Sequence, residues 1–472
     1  MEREWIPLPL SGKLFANLDE TSISRAQTRI ENGWINESGG HSRFPGIESW
    51  INLPDNGRVY LHDWRDDLMA STSLGRLYRI DRSGNVEDVT NVPVSGGMRT
   101  IFAKTEDELV MAAGKQIVRF AGQKTEVLSE DAPLSTHVGY IDGYLVAIER
   151  DSGRFRHSAA GTPRVWEDLD TFAADGSPDN LTSMIVTPFR ELLVCGPDSI
   201  EQFERLSSGD VPFFRRWSVA EGITQPYTLM FADNVTFGVN KLSEQIRFTG
   251  QTSKPVSDDI AKVLAGVDDW TDAWIGGFPA LPLSLIGQKF LLLQAPFATN
   301  PYGTKGLTFI FDIRSQQFAS LFGWDDKLAL PTRWPGWSYW SLWGETFVGG
   351  EGKIYKFNDT IHSNAGQTQR WLVRTGHWDG LGEASIDNLR LRIKRGVGSN
   401  ETEPKFMVRC NRDNRGFGRW NYKGLGRLGN RSMEIEFGGF GIANSFQWEF
   451  ACTDDCEIEL VKAEVQASPV GH

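Results

Sequence analysis

The stretch "DDLMASTSLGRLYRIDRSG", residues 66–84, decides the fold. It begins with a short apolar segment, turns at Gly75, and continues with a segment in which Tyr78 and Ile80 alternate with polar residues. The apolar segment is typical of a strand that is buried on both faces, and the alternating one is typical of a half-buried strand. The same unit returns in "DELVMAAGKQIVRFAGQ", residues 107–123, which indicates an internal repeat.

Seven copies of this unit follow one another along the chain. Their apolar strands start near Leu68, Leu109, Tyr144, Leu192, Val235, Phe290 and Phe347, at intervals of 41, 35, 48, 43, 55 and 57 residues. A period of about 40 to 50 residues is typical of the four-stranded blades of a β-propeller. We therefore predict an all-β protein with a propeller of six to seven blades, where six stays open because the last two intervals are long. The alternative is a pair of irregular β-sandwiches, whose strands also recur at short intervals.

The pattern changes on both sides of the repeats. Past Gly376, alternating segments such as "IDNLRLRIKRG" predict a C-terminal antiparallel β domain over residues 377–472. Before the first repeat, "HSRFPGIESW" reads as a tight turn at the end of an N-terminal arm, so we predict an arm over 1–50 and a propeller over 51–376.

One helix is predicted, over residues 257–267, in the connection between blades five and six. Ser257 stands where an N-cap would, and Ile260, Val263 and Leu264 share one helix face.

Composition excludes several classes of protein. The 472 residues carry a net charge of −12, which argues against a protein that coats nucleic acid through a basic face. No apolar run approaches the length of a membrane span and the N-terminus has no basic signal region, so we expect neither membrane insertion nor a secretory leader. Four scattered cysteines form neither a disulfide framework nor a zinc motif.

Catalytic motifs are missing from the sequence. The seven histidines form no HExxH pair, and there is neither a nucleophile elbow nor a P-loop. We therefore expect no catalytic, cofactor-binding or metal-binding residue, and no enzyme. One stretch keeps a glycan hydrolase open: "NRDNRGFGRW", residues 411–420, is similar to the Asp-box hairpin of sialidases, in which an Asp accepts turn N–H groups, a Gly takes positive φ and a Trp packs beneath.

Two aromatic-rich stretches are candidate interaction surfaces. "WPGWSYWSLWG", residues 334–344, spaces Trp337, Trp340 and Trp343 three residues apart, which suits either sugar stacking or packing between blades or at a subunit interface. The stretch 410–431 is basic and includes Arg415, Arg419 and Arg427 among aromatic residues, so its partner would be nucleic acid or an acidic protein face.

Three stretches together resemble the packaged-DNA stabilisation proteins of short-tailed bacteriophages, also described as tail accessory or nozzle proteins. The first is Arg43-Phe44-Pro45-Gly46, and the second is the strand pair 289–324 with Asp312. The third is a block of nine residues: Arg412, Asp413, Gly416, Trp420, Leu425, Gly426, Leu428, Gly429 and Arg431.

The resemblance implies a structural role in the virion tail. Such proteins form a ring of six copies. The ring extends the tail tube below the portal and its adaptor, retains packaged DNA and allows its ejection. The implied partners are further copies of the chain, the adaptor and portal, a tail needle or plug, a tailspike or fibre, and DNA that passes through the lumen without specific binding. The particle would assemble in the host cytoplasm. The alternative function is a glycan hydrolase or a glycan- or receptor-binding module of a phage tail.

Overall fold

The chain is built almost entirely from antiparallel β-sheets. The computed structural model describes residues 5–8, 10, 29–94, 96–174, 176–206, 212–278, 289–379, 382–398, 402–427, 429 and 433–470. The first five strands are β1 (Trp5–Pro7), β2 (Arg29–Glu31), β3 (Gly33–Ile35), β4 (His41–Arg43) and β5 (Gly46–Asn52).

Five four-stranded sheets follow in order, each a simple meander. Blade one is β6 (Val59–Trp64), β7 (Asp67–Thr72), β8 (Leu77–Ile80) and β9 (Val86–Asp88), and blade two is β10 (Ile101–Lys104), β11 (Leu109–Ala112), β12 (Val118–Phe120) and β13 (Thr125–Val127). Blade three is β14 (Val138–Ile141), β15 (Tyr144–Ile148), β16 (Arg154–Ala159) and β17 (Thr162–Ala173), and blade four is β18 (Ser183–Val186), β19 (Glu191–Cys195), β20 (Ile200–Arg205) and β21 (Phe213–Val219). Blade five is β22 (Met230–Ala232), β23 (Val235–Val239), β24 (Gln245–Thr249) and β25 (Thr252–Pro255).

Blades six and seven are longer sheets that incorporate strands from elsewhere in the chain. Blade six is β26 (Trp274–Phe278), β27 (Phe290–Thr299), β28 (Lys305–Asp312) and β29 (Gln317–Ser320), followed by the hairpin of β30 (Phe322–Asp325) and β31 (Leu330–Arg333). Blade seven has β32 (Ser338–Leu342), β33 (Glu345–Gly349) and β34 (Lys353–Asn358), and the short strands β35 (Ser363–Asn364) and β36 (Gln367–Thr368) lie at its outer edge.

Blade seven takes its fourth strand from the N-terminal side of the propeller. β5 runs antiparallel to β34, with Ile47 opposite Phe357. On its inner side, the same blade contacts β6 of blade one. The ring of seven blades is therefore closed by a strand that precedes the first blade in sequence, and the described residues form a seven-bladed propeller, as the repeat predicts.

The repeat corresponds to the second strand of each blade, not to the innermost one. All seven predicted starts fall in β7, β11, β15, β19, β23, β27 and β33. These apolar strands are buried inner strands of their blades, as the pattern predicts, although they are not the innermost ones. A second strand is covered on both faces by neighbouring blades; between blades one and two, for example, Met69 and Leu109 share an apolar cluster with Trp64 and Phe120.

The predicted helix is shorter than expected. A 3-10 turn, Asp258–Ile260, leads into α1 (Ala261–Ala265), and both lie between blades five and six as predicted. Ser257 does not cap it: the Ser257 side chain is buried and its Oγ accepts the N–H of Gln245 at 2.9 Å. Burial of Ile260 and Leu264 holds the helix on the propeller.

The remaining strands form a β-sandwich. They are β37 (Trp371–Arg374), β38 (Ala384–Ile393), β39 (Lys405–Arg412), β40 (Asn421–Gly424), β41 (Glu434–Ala443), β42 (Phe446–Cys452) and β43 (Glu459–Pro469). One sheet has the order β3-β4-β43-β38-β41, with β1 also paired to β43, and the other has the order β2-β37-β42-β39-β40. Alternate residues such as Leu389, Leu391, Phe406 and Trp448 are buried in the space between the sheets.

The second sheet of the sandwich continues blade six. β2 lies parallel to β29, with Glu31 opposite Ser320, so nine strands form one sheet across both parts. The domain limits at residues 50 and 376 remain a prediction. In the structure, residue 50 lies inside β5, and the sandwich includes β2 from the predicted arm and β37 from the predicted propeller range. No helix in the described part of the chain has the length and apolarity to span a bilayer.

Gly46→Ala tests the closure of the ring. The Gly46 N–H donates to the Ile361 carbonyl at 2.6 Å, and a Cβ at this position would overlap the carbonyl oxygens of Ile361 and Ser363. We expect the variant to lower the free energy of unfolding by about 1–3 kcal/mol through overpacking. The matched control is Gly418→Ala, where the nearest atom to the new Cβ is 3.5 Å away. Equal thermal midpoints for the two variants would contradict the account.

Candidate functional site

The segment Arg43-Phe44-Pro45-Gly46 joins the sandwich to the propeller. Arg43 ends β4 and Gly46 begins β5. Phe44 is fully buried and its ring meets three others edge-on, those of Trp34 at 6.1 Å, Phe290 at 6.2 Å and Phe357 at 6.0 Å. These rings come from β3 of the sandwich, blade six and blade seven, so one side chain contacts all three parts.

Arg43 holds the same joint through hydrogen bonds. Its guanidinium is buried and donates to the carbonyl oxygens of Gln369, Asp454 and Cys456, the last at 3.1 Å. Gln369 in turn donates from its side chain to the Pro45 carbonyl at 3.2 Å. The arginine therefore ties β4 to the segment before β37 and to the turn between β42 and β43.

A buried carboxylate stabilises the seam between blade six and the sandwich. Glu31 in β2 is 1% exposed and pairs with Arg29 at 2.7 Å and Arg370 at 2.6 Å, and it accepts the hydroxyl proton of Tyr302 from the β27–β28 turn. Burial alone would raise the pKa of Glu31, but the two guanidiniums and the hydroxyl hold it at about 2. The carboxylate is therefore ionised at neutral pH, and we call this group the seam network.

Asp312 organises the hairpin that leads to the seam. Its carboxylate accepts the N–H of Arg314 at 3.0 Å and the hydroxyl of Ser315 at 2.7 Å, in the turn between β28 and β29. The side chain is buried, which indicates a structural role in blade six.

The turn after β39 differs from an Asp-box hairpin, because an Asn and not an Asp accepts the N–H group of the turn. Asn411 Oδ1 accepts the Gly416 N–H at 3.0 Å, and Gly416 has a φ of +93°. Asp413 instead accepts the N–H groups of Asn444 and Ser445 at 2.9 and 3.0 Å, in the turn between β41 and β42. The prediction that Asp413 caps its own turn is wrong, because its carboxylate is used to fix the two sheets to each other.

A charged row crosses the outer face of the sandwich beside this turn. Glu449 is fully buried and accepts hydrogen bonds from Arg374 and Arg409 on the neighbouring strands. The Phe417 ring lies 5.1 Å from the Arg374 guanidinium and 4.8 Å from that of Arg409, and Trp420 lies 4.3 Å from Arg409. We call these five residues the basic face.

The other predicted residues of the basic stretch lie around this face. Arg412, Arg415, Arg419 and Arg427 are exposed, whereas Leu425 is fully buried. Gly426 has a φ of +86° and donates its N–H to Glu403 at 3.0 Å. Arg431 lies outside the described residues.

The tryptophans of 334–344 do not form one exposed platform. Trp337 is 2% exposed, because the guanidiniums of Arg58 and Arg333 cover its ring at 5.0 and 4.3 Å. An exposed interface role for Trp337 is therefore wrong. Trp340 stacks on His62 at 4.1 Å, across the boundary between blades seven and one.

Trp343 is also packed against neighbouring rings. It contacts Phe347 at 5.6 Å and Trp50 at 6.3 Å, and its indole N–H donates to the Asp66 carbonyl at 3.1 Å. The geometry agrees with packing between blades and not with sugar stacking along one row of rings.

One cluster that no sequence motif indicates fills one end of the propeller channel. Arg99, at the start of blade two, lies 4.9 Å from the Tyr60 ring, 6.0 Å from Tyr227 and 4.5 Å from Trp274. It donates to the Trp337 carbonyl at 2.5 Å, and burial lowers its pKa. Tyr60, Tyr227, Trp274 and Trp337 lie at or just before the start of the innermost strands of blades one, five, six and seven, so their contact with Arg99 crosses the propeller axis.

His137 extends this cluster from blade three by stacking on Tyr227 at 5.7 Å. We call Tyr60, Arg99, His137, Tyr227 and Trp274 the axial plug. Side chains of five blades therefore contact one another around the propeller axis at this end.

A family comparison accounts for the phage resemblance. A family described as "Bacteriophage P22 Gp10, beta-propeller" matches residues 30–272, just over half of the chain. The chain belongs to this phage stabilisation family. The family likeness predicted from sequence is confirmed, and with it the propeller and a structural role in a bacteriophage. Of the three predicted signature stretches, only Arg43-Phe44-Pro45-Gly46 lies inside the matched range.

Solved structures add only a distant likeness in fold. The virginiamycin B lyase from Staphylococcus aureus is 12% identical, with a TM-score of 0.42 over 65% of this chain and 97% of its own. The WD40 propeller domain of Doa1 is 10% identical, with a TM-score of 0.40 over 66% of this chain and 97% of its own. No curated protein matches the chain at a significant level.

Glu31→Gln tests the seam network of this phage stabilisation protein. The amide leaves Arg29 and Arg370 without a countercharge, so we expect the free energy of unfolding to fall by about 3 kcal/mol. Glu37→Gln is the control, since the Glu37 pair with Arg314 is exposed and contributes at most about 1 kcal/mol. Equal denaturation midpoints for the two variants would show that the seam network does not stabilise the fold.

Acid should destabilise the protein through its buried histidines. Burial lowers the pKa to about 4 in His41, His62, His137 and His362, against an ordinary value of 6.5. Between pH 6.5 and 4 the unfolded chain binds protons that the folded chain does not. The free energy of unfolding therefore falls as pH falls, by up to about 1.4 kcal/mol per pH unit for each histidine.

Thermal midpoints measured from pH 7.5 to 4.5 check this prediction. His62→Phe is the informative variant, because its ring can still stack on Trp340 but cannot be protonated. We expect a shallower pH dependence in this variant. Midpoints that do not change with pH in the unmodified protein would contradict the assignment.

Proposed function

We propose that the chain is a ring-forming subunit of a short phage tail, a nozzle that extends the tail tube, retains packaged DNA and allows its ejection. The observation that carries the proposal is membership of the phage stabilisation family over residues 30–272, which include the joint and the first five blades. Six copies would form the ring. The ring would contact the adaptor and portal on one side and a needle or plug, with a tailspike or fibre, on the other.

The axial plug supports a conduit made by several copies. DNA cannot pass along the axis of one propeller if side chains from five blades meet there. A lumen between subunits avoids this obstacle and needs a head-to-tail interface, in which two different surfaces of neighbouring copies meet.

Two segments of the chain have opposite net charge. Residues 51–368 contain 29 basic and 40 acidic side chains, a net charge of −11. Residues 369–427 contain 13 basic and 6 acidic side chains, a net charge of +7. A contact between the basic region of one copy and the propeller of the next would be attractive, and an acidic lumen would let DNA slide without specific binding. The virion tail, assembled in the host cytoplasm, is the proposed location.

The glycan-binding alternative has less support. Its site was the row of tryptophans, and Trp337 is buried while Trp340 and Trp343 pack against other blades. No geometry among the described residues favours a glycan hydrolase over a structural subunit.

Charge reversal tests the head-to-tail contact. We expect the double variant Arg415→Glu and Arg419→Glu to weaken ring formation at least tenfold at low salt, because like charges would then face each other. Sedimentation velocity over a salt series measures it, since screening should also weaken the unmodified ring. Arg82→Glu, in an exposed turn of blade one, is the control. A ring population that is unaffected by the double variant would exclude this surface.

DNA retention tests the function itself. Particles assembled without the chain should package DNA and then lose it, whereas particles complemented with the unmodified chain should keep it. Nuclease-accessible DNA after packaging is the readout. Particles that hold their DNA without the chain would contradict the proposed role.

A further inference from the structure

Two thiols lie next to each other at the joint between sandwich and propeller. Cys452 ends β42 and Cys456 follows in the turn to β43, with 3.8 Å between the two Sγ atoms. Both side chains are buried, at 0% and 4% exposure. The other two cysteines lie elsewhere, Cys195 in blade four and Cys410 in β39. A disulfide needs about 2.05 Å between sulfurs, so this pair is within reach of a bond by a small local movement.

The turn between these thiols is tied to three parts of the molecule. Its carbonyls at Asp454 and Cys456 accept hydrogen bonds from the buried Arg43 guanidinium. The Asp454 carboxylate accepts the Lys405 N–H from β39 at 2.7 Å, and the Asp455 carboxylate accepts the His362 N–H from the edge of blade seven at 2.7 Å. The conformation of this turn therefore positions the groups that hold the joint.

The two thiols are chemically unequal. A hydrogen bond from the Cys456 thiol lowers the pKa of Cys452, burial opposes this, and the Arg43 guanidinium lowers it further. Cys452 is therefore the sulfur better able to act as a thiolate nucleophile, and Cys456 is placed to resolve a mixed disulfide.

We propose that Cys452 and Cys456 form a reversible disulfide that locks the joint. Because both side chains are buried, the exchange takes place during local opening of the turn, when the Cys452 thiolate attacks one sulfur of a small disulfide such as oxidised glutathione and releases one glutathione thiolate, which takes up a proton. Cys456 then gives up its proton and attacks the Cys452 sulfur, which releases the second glutathione as a thiol. Two protein thiols are oxidised and one small disulfide is reduced to two thiols.

The inference does not depend on the proposed tail function. Reducing compartments keep such a pair as thiols and oxidising ones close it. The disulfide lowers the conformational entropy of the turn in the unfolded chain, so the oxidised protein should unfold at a higher temperature.

Mass spectrometry of the full-length protein tests the proposal. The folded chain is incubated with oxidised glutathione, denatured, and alkylated without reduction. Both cysteines lie in one tryptic peptide, residues 432–462. We expect this peptide to carry no alkyl group and to be lighter than its reduced form by two hydrogen atoms, while Cys195 and Cys410 are alkylated. Recovery of the peptide with both cysteines alkylated, or with glutathione on both, would overturn the proposal.

Variants separate the disulfide from other effects of oxidation. We expect the thermal midpoint to rise by a few degrees on oxidation and to return with a reducing agent, in the unmodified chain and in the matched control Cys410→Ser. Cys456→Ser and Cys452→Ser should show no such rise. If either variant fails to fold, the change in thermal midpoint of the unmodified chain on oxidation and reduction is the test. A disulfide that forms without any shift of the midpoint would contradict the locking of the joint.

Discussion

The pairing of β5 with β34 is the constraint on which the rest of the structure depends. Blade seven has only three strands from its own region of the chain, so the propeller stays open until Gly46–Asn52 supplies the fourth. Phe44 and the next residue join β5 directly to β4, and β4 belongs to the sandwich. Closing the propeller therefore also places the sandwich, because a link of two residues leaves little freedom between them.

The repeat could be predicted from the sequence because its signal is local. The second strand of each blade, such as the one that contains Leu68, is buried on both faces, and this produces the same apolar pattern seven times. The closing strand gives no such signal, since its partner lies about 300 residues away and alternation does not show which sheet a strand joins.

The candidate site was harder to predict for the same reason. A basic stretch around Arg415 is visible in the sequence, but the buried Glu449 that pairs with Arg374 and Arg409 comes from another strand. The axial plug has no pattern, because Arg99 and Trp274 are single residues that meet only when the ring is closed. The spacing of Trp337 and Trp340 suggested one surface, yet tertiary packing gives the two rings different surroundings.

These features together describe a subunit with side chains of several blades meeting at the propeller axis, an acidic propeller region over residues 51–368 and a basic segment over residues 369–427. The strand that closes the propeller, the seam network and the thiol-bearing turn all lie where sandwich and propeller meet, so the relative position of the two parts is strongly determined. Such rigidity agrees with a structural role in a bacteriophage particle. The proposed function depends on how copies of the chain meet.

A reconstruction of the particle tail by electron cryomicroscopy tests the central claim most directly. The account predicts a ring of this chain around a central lumen, with each propeller beside the lumen and its axial plug filled by side chains. DNA density along the axis of a propeller, or a tail in which the chain forms no ring, would contradict it.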